Sequence, residues 1–158
     1  MKNLSHLQDK SSLEVALTMA SLLQLKKYVF EIDPMGSPRL NKGSSSPKSS
    51  HYKSYVKYKK FKSSMSILKK LLRVKQFKRF GVIFYMPIPN PNRSTIRPET
   101  KKEYLDRIDK DHEFKPDIDN LEKAVLDSLM ADDAKVSLCY FKAKVWTSHK
   151  TGRIELYL

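Results

Sequence analysis

Two aspartates, Asp117 and Asp119, stand two residues apart, with Lys123 four residues on and a second acidic pair, Asp132-Asp133, shortly after. In extended backbone, side chains at i and i+2 point the same way, so Asp117 and Asp119 can face one point. If a helix begins at Asp119, Lys123 is its i+4 neighbour on the helix surface. Asp133 can return to the same point if the strand that follows packs beside that helix. Carboxylates are hard oxygen donors of the kind Mg²⁺ takes, with water and substrate phosphate filling its octahedron. A cation held there polarises a phosphoryl oxygen and acidifies its bound water, and a nearby lysine offsets the charge of a phosphorane-like transition state. The chemistry suggested is metal-assisted phosphodiester hydrolysis. The same residues have plainer uses: Asp119 suits a helix N-cap, Asp117 a loop, and Asp132-Asp133 a turn. Spacing alone does not choose between them.

The charge around this acidic cluster favours a polyanionic partner. The chain has 158 residues and a formal net charge of +14. From Pro34 to Pro98 it contains no Asp or Glu and sixteen Lys and Arg, while the remainder holds fewer basic than acidic residues. Such segregation is the electrostatic footprint of a nucleic-acid surface. Lys42, Lys48, Lys53, Lys57 and Lys60 lead the expected phosphate contacts, with Arg39, Lys78 and Arg79 behind them. Contacts of this kind position a protein on DNA without reading its sequence. Tyr52, Tyr55 and Tyr58 interleave with the charge and suit either base stacking or core packing. Cys139 is the single cysteine, which excludes an internal disulfide, and His6, His51, His112 and His149 lack metal-ligand spacing.

The elements that must position these groups follow from periodicity. Residues 1–26 read as a short helical extension, capped at Ser11 or Ser12, with Leu13, Leu17 and Ala20 inward. Tyr28–Ile32 alternates like a strand, and Asn41–Ser50 reads as a loop. From Tyr52 to Arg73, apolar Tyr58, Phe61, Met65, Leu68 and Leu72 recur at helical spacing. Phe80–Met86 is a second strand; Asn92–Lys115 is polar loop with a helical turn near Lys101–Ile108. A helix runs from about Asp119 to Met130, burying Leu121, Ala124, Val125 and Leu129. Val136–Trp146 is a long strand with Cys139, Phe141, Ala143 and Val145 on one face. Ser148–Gly152 then forms a hairpin turn into a last strand, Arg153–Leu158. The expected fold class is α+β: a small two-layer sandwich with a mixed sheet of about four strands, two main helices and the N-terminal helical extension. The expected domains are that extension (1–26) and one catalytic domain (27–158).

The run Lys115-Pro116-Asp117-Ile118-Asp119-Asn120-Leu121-Glu122-Lys123-Ala124, followed by Asp132-Asp133-Ala134-Lys135-Val136, resembles the signature of RusA-type Holliday junction resolvases. Lys150-Thr151-Gly152-Arg153-Ile154-Glu155-Leu156 looks like that family's C-terminal glycine-turn strand, and Pro34–Arg39 like the N-terminal basic loop of some phage-borne members. The resemblance spans roughly Tyr28 to Leu158 and is specific over Asp117–Val136. It implies a homodimer that resolves four-way DNA junctions by paired nicks, using Mg²⁺ or, as a substitute, Mn²⁺. Its metal-binding aspartates fall on Asp117, Asp119 and Asp133, ahead of Asp132, and its catalytic lysine on Lys123. Asp127, on the same helical stripe, either orients Lys123 or is a plain surface charge; Asn120 suits a loop-holding amide. The link through Leu129, Met130 and Ala131 is shorter than the Gly-containing turn of some members.

Two other readings compete. In one, the chain is a non-catalytic basic nucleic-acid-binding protein whose aspartates are caps and turns. In the other, it is a nuclease for other branched DNA, such as flaps or forks. The broken apolar stretch Leu13–Leu25 is neither a membrane span nor a signal peptide. A soluble protein of the cytoplasm of a bacterial or phage-infected cell is expected.

Overall fold

The computed structural model describes residues 10–38, 50–89 and 100–158. The loop expected over Asn41–Ser50 lies almost wholly outside them, as do Arg39, Lys42 and Lys48. The described residues fall into two compact units, one built on a sheet and one on a helix pair.

The sheet unit takes its residues from Met1–Pro34, Arg79–Phe114 and Leu138–Leu158. It holds α1 (Ser12–Leu22), β1 (Lys27–Phe30), β2 (Arg79–Pro87), α3 (Lys101–Arg107), β3 (Leu138–Thr147) and β4 (Arg153–Tyr157). The four strands form one mixed sheet in the order β1-β4-β2-β3, as the α+β reading expects. β2 runs parallel to β3, with Ile83 opposite Ala143, and antiparallel to β4, with Phe84 opposite Ile154. Central β2 is buried on both faces, which explains its unbroken apolar run. The expected hairpin between β3 and β4 does not form, because β2 lies between them. The turn residues mark a reversal of the chain, and only pairing across the whole unit decides which strand becomes the neighbour. The alternation expected along β3 is also interrupted: the register steps from Phe80↔Cys139 to Gly81↔Phe141, leaving Tyr140 as the extra residue of a bulge.

α1 starts at a capping box in which Ser11 accepts from the Glu14 amide and Glu14 accepts from the Ser11 amide. It packs on a sheet face, burying Leu13, Ala16 and Ala20 with Ile83, Tyr85, Ala143, Val145 and Tyr157. Leu17, expected inward, is exposed and Ala16 takes its place. The two small alanines let the helix sit close to the strands. The same face of β4 carries a buried carboxylate, Glu155. It accepts from the Tyr157 hydroxyl at 2.7 Å and from Arg153 Nε at 3.0 Å.

Gly152 is where the turn into β4 needs a residue without a side chain. A Cβ there would stand 2.5 Å from Pro34 Cδ and 2.6 Å from the Tyr85 carbonyl oxygen. Its amide donates to the Asp33 carboxylate. Gly152→Ala must therefore move backbone or a proline ring, at an expected cost of about 1–3 kcal/mol. At this chain length each kcal/mol lowers Tm by about 2–4 °C. An unchanged Tm in a thermal melt would show that the turn relaxes freely.

The helix unit takes its residues from Met35–Lys78 and Lys115–Ser137. It holds α2 (Ser50–Leu71), α4 (Ile118–Leu129) and a 3₁₀ turn (Asp133–Lys135). α2 buries Tyr58, Phe61 and Met65 of the expected stripe, Leu68 is half-buried and Leu72 falls just past the helix end; α4 buries Leu121, Ala124, Val125 and Leu129. The two helices pack on each other. Lys69 of α2 donates to the Leu129 carbonyl at the C-terminal end of α4, where cations are favoured.

Candidate active site

Asp117 is the N-cap of α4, and its side chain makes no capping hydrogen bond. Ile118 already belongs to the helix and Asp119 lies in its first turn. The extended alternation expected between the two aspartates therefore does not apply. Both aspartates instead stand at the helix N-terminus, whose dipole favours negative charge. Both side chains are exposed. The preceding Lys115–Pro116 peptide is cis.

Along α4, Asp119, Lys123 and Asp127 follow at four-residue intervals, as expected of one helical stripe. Lys123 and Asp127 line an open cleft of about 590 Å³ together with Ser37, Pro38, Tyr55, Tyr58 and Asn120. Asp127 is half-buried and accepts a 3.0 Å hydrogen bond from the Tyr58 hydroxyl. Burial, reinforced by the charge of Asp127, holds the Tyr58 phenol above its ordinary pKa, so it remains a donor. Tyr58 is thus a core residue, one of the two uses its position allowed. Tyr55 sits at the cleft with the Lys59 ammonium 4.9 Å from its ring centre.

Three cleft residues, Ser37, Pro38 and Asn120, belong to a contact that spacing could not reveal. The Ser37 amide donates to the Asn120 carbonyl at 3.2 Å. Gly36 permits the approach, since a Cβ there would stand 3.0 Å from Pro116 Cβ. The one sequence signal was the Pro-Met-Gly-Ser-Pro run itself, and nothing local says where such a loop will dock. Asn120 meets this loop through its backbone carbonyl, not its amide.

Asp132 and Asp133 follow the opposite end of α4, a helix about 18 Å long from its twelve residues. Asp132 caps the 3₁₀ turn by accepting from the Ala134 amide at 3.2 Å. Its other oxygen lies 4.0 Å from Lys135 Nζ. Among the described residues, no three His, Cys, Asp or Glu side chains converge on a point that could hold a metal. Asp117 and Asp119 thus stand at the N-terminus of α4, while Asp133 follows its C-terminal end. The pair still fits Mg²⁺ in donor chemistry, because that ion is commonly held by one or two carboxylates plus phosphate and water.

The basic surface is clearest on α2. Lys53, Lys57 and Lys60 are exposed and recur at spacings of four and three, so they share one face. Lys78 and Arg79 are exposed as well; Lys78 edges a smaller pocket of about 310 Å³ with Gln76, Phe77, Met130 and Asp132. Among the described residues no helix is long and apolar enough to cross a membrane.

The family model described as Endodeoxyribonuclease RusA matches residues 31–157. No curated protein and no solved structure matches the chain.

Proposed function

The chain belongs to the RusA family of endodeoxyribonucleases, and on that premise we propose that it is a Mg²⁺-dependent Holliday junction resolvase, with Mn²⁺ as a possible substitute. The observation that supports the site is the first turn of α4. There Asp117, an N-cap whose side chain makes no capping bond, is followed by Asp119, one turn before an exposed lysine that lines an open cleft. In this reading Asp117 and Asp119 hold the cation, and Asp133 is contributed by a second copy of the chain in a homodimer. When bound, the cation supplies Lewis-acid polarisation of a phosphoryl oxygen and a more acidic water. Lys123 binds a non-bridging oxygen of the scissile phosphate and offsets the charge that grows there.

Lys53, Lys57 and Lys60 bind the phosphates of the arms, with Lys78 and Arg79 adding to the positive surface. Arg39, Lys42 and Lys48 extend it in sequence. Each phosphate contact releases counterions, so log K falls linearly with log salt at about 0.9 per contact. Combined K53A, K57A and K60A substitution is expected to flatten that slope by about 2–3 and weaken binding to every DNA equally. Fluorescence anisotropy across a salt series measures it. An unchanged slope would remove α2 from the DNA surface.

The test of substrate compares an immobile four-way junction with a fork, a flap and a linear duplex of the same sequence, each with Mg²⁺. Symmetric nicks confined to the junction are expected. Faster cutting of forks or flaps would make the protein a nuclease for other branched DNA.

A further inference from the structure

Lys123 and Asp127 are i and i+4 on α4, a spacing at which lysine and aspartate commonly pair. They do not pair here: among the described residues Lys123 has no ion-pair partner. The reason lies on α2. The Tyr58 hydroxyl donates to Asp127 Oδ2 at 3.0 Å, and the Ser37 side chain hydrogen-bonds the Tyr58 hydroxyl in turn. This chain of three side chains runs along the cleft that Lys123 lines.

We propose that Tyr58 is a positioning residue: by holding the Asp127 carboxylate it keeps Asp127 from capturing Lys123 and leaves that ammonium available to a substrate phosphate. The inference rests on the reading of Lys123 given under the proposed function. The ring of Tyr58 has a separate task. It is 7% exposed and stacks on Phe61 at 6.4 Å. Phenylalanine would serve that packing equally well, so the hydroxyl is what the core does not require.

Tyr58→Phe therefore separates the two tasks. Without its hydrogen bond, Asp127 turns to Lys123 and the pair forms. The first readout uses the full chain without DNA or metal: limiting N-hydroxysuccinimide acetate, with acetylation of Lys123 quantified by mass spectrometry against exposed Lys150. Relative labelling of Lys123 is expected to fall about two- to fivefold in Tyr58→Phe, the range of a partly exposed pair. It should return to the wild-type value in Tyr58→Phe/Asp127→Asn. Labelling unchanged in Tyr58→Phe, or a fall that persists in the double variant, overturns the proposal. The second readout is single-turnover junction cleavage, which should slow by a similar factor and recover with Asp127→Asn. Recovery on removing a second side chain is not what a merely structural tyrosine would produce. Altered labelling with unaltered cleavage would refute the positioning role. The expected labelling pattern in a protein that cuts no junction would uphold the Tyr58–Asp127 restraint and discard the nuclease reading.

Discussion

Asp119→Asn is expected to abolish Mg²⁺-dependent cleavage of a four-way junction while leaving junction affinity intact or slightly raised. Asparagine has the size of aspartate and is as well tolerated near a helix N-terminus, so α4 should fold unchanged. What it lacks is the anionic oxygen that a hard divalent cation requires. Metal activation supplies several kcal/mol of transition-state stabilisation, so the loss should exceed about a hundredfold. Affinity is assigned under the proposed function to the lysines of α2, which the substitution does not touch. If Asp119 faces DNA as proposed, removing its negative charge can only help binding. Asp117→Asn should behave alike, because the N-cap carboxylate makes no capping bond whose loss would cost stability. Cleavage measured under single turnover, with affinity measured under chelation, separates the two effects. An Asp119→Asn protein that cuts at the wild-type rate would return both aspartates to the role of helix-start residues.

The second large effect concerns stability. His112 is 5% exposed, packs with its ring centre 4.1 Å from that of Trp146, and leaves Nδ1 without a hydrogen-bond partner. Burial, helped by the positive charge of Lys144, lowers its pKa from 6.5 to about 4. The folded protein thus prefers the neutral imidazole more strongly than the unfolded chain does. That preference is fully felt above pH 6.5 and is lost as pH falls through 6.5 towards 4. Each pKa unit is worth about 1.36 kcal/mol, so roughly 3 kcal/mol disappears across this window. His112→Phe keeps an aromatic ring beside Trp146 and removes the titration. Urea unfolding at pH 7.5, 6, 5 and 4 should show wild type losing about 3 kcal/mol more than the variant. Parallel losses in both proteins would place the acid sensitivity elsewhere. The edge of the sheet would open first, because the His112 amide donates to the Lys144 carbonyl at 2.8 Å and helps cover β3.

Local signals carried much of this protein into view. Ser11 or Ser12 announced the start of α1, and Tyr58, Phe61 and Met65 announced the buried stripe of α2. The four-residue intervals of Asp119, Lys123 and Asp127 marked one stripe of α4. Each of these is settled within one or two helical turns. Partners distant in sequence were not legible. The insertion of β4 between β1 and β2, in place of a β3–β4 hairpin, depends on which edges are free when the sheet closes. The docking of Ser37 on Asn120 joins residues more than eighty positions apart. Leu17 was mistaken for a core residue because helical period alone cannot say how closely α1 approaches the sheet. The separation of Asp133 from the Asp117–Asp119 pair is of the same kind: a twelve-residue helix stands between them, a length the chain specifies but whose direction it does not.

The most direct measurement takes an immobile four-way junction, each strand labelled in turn, and incubates it with wild type or Asp119→Asn in Mg²⁺ or in chelator. Paired symmetric nicks near the crossover, present only for wild type with Mg²⁺, are the expected result. Tight binding to the junction without cleavage, in Mg²⁺ and Mn²⁺ alike, would contradict it and leave a basic DNA-binding protein whose aspartates serve only to start a helix and cap a turn.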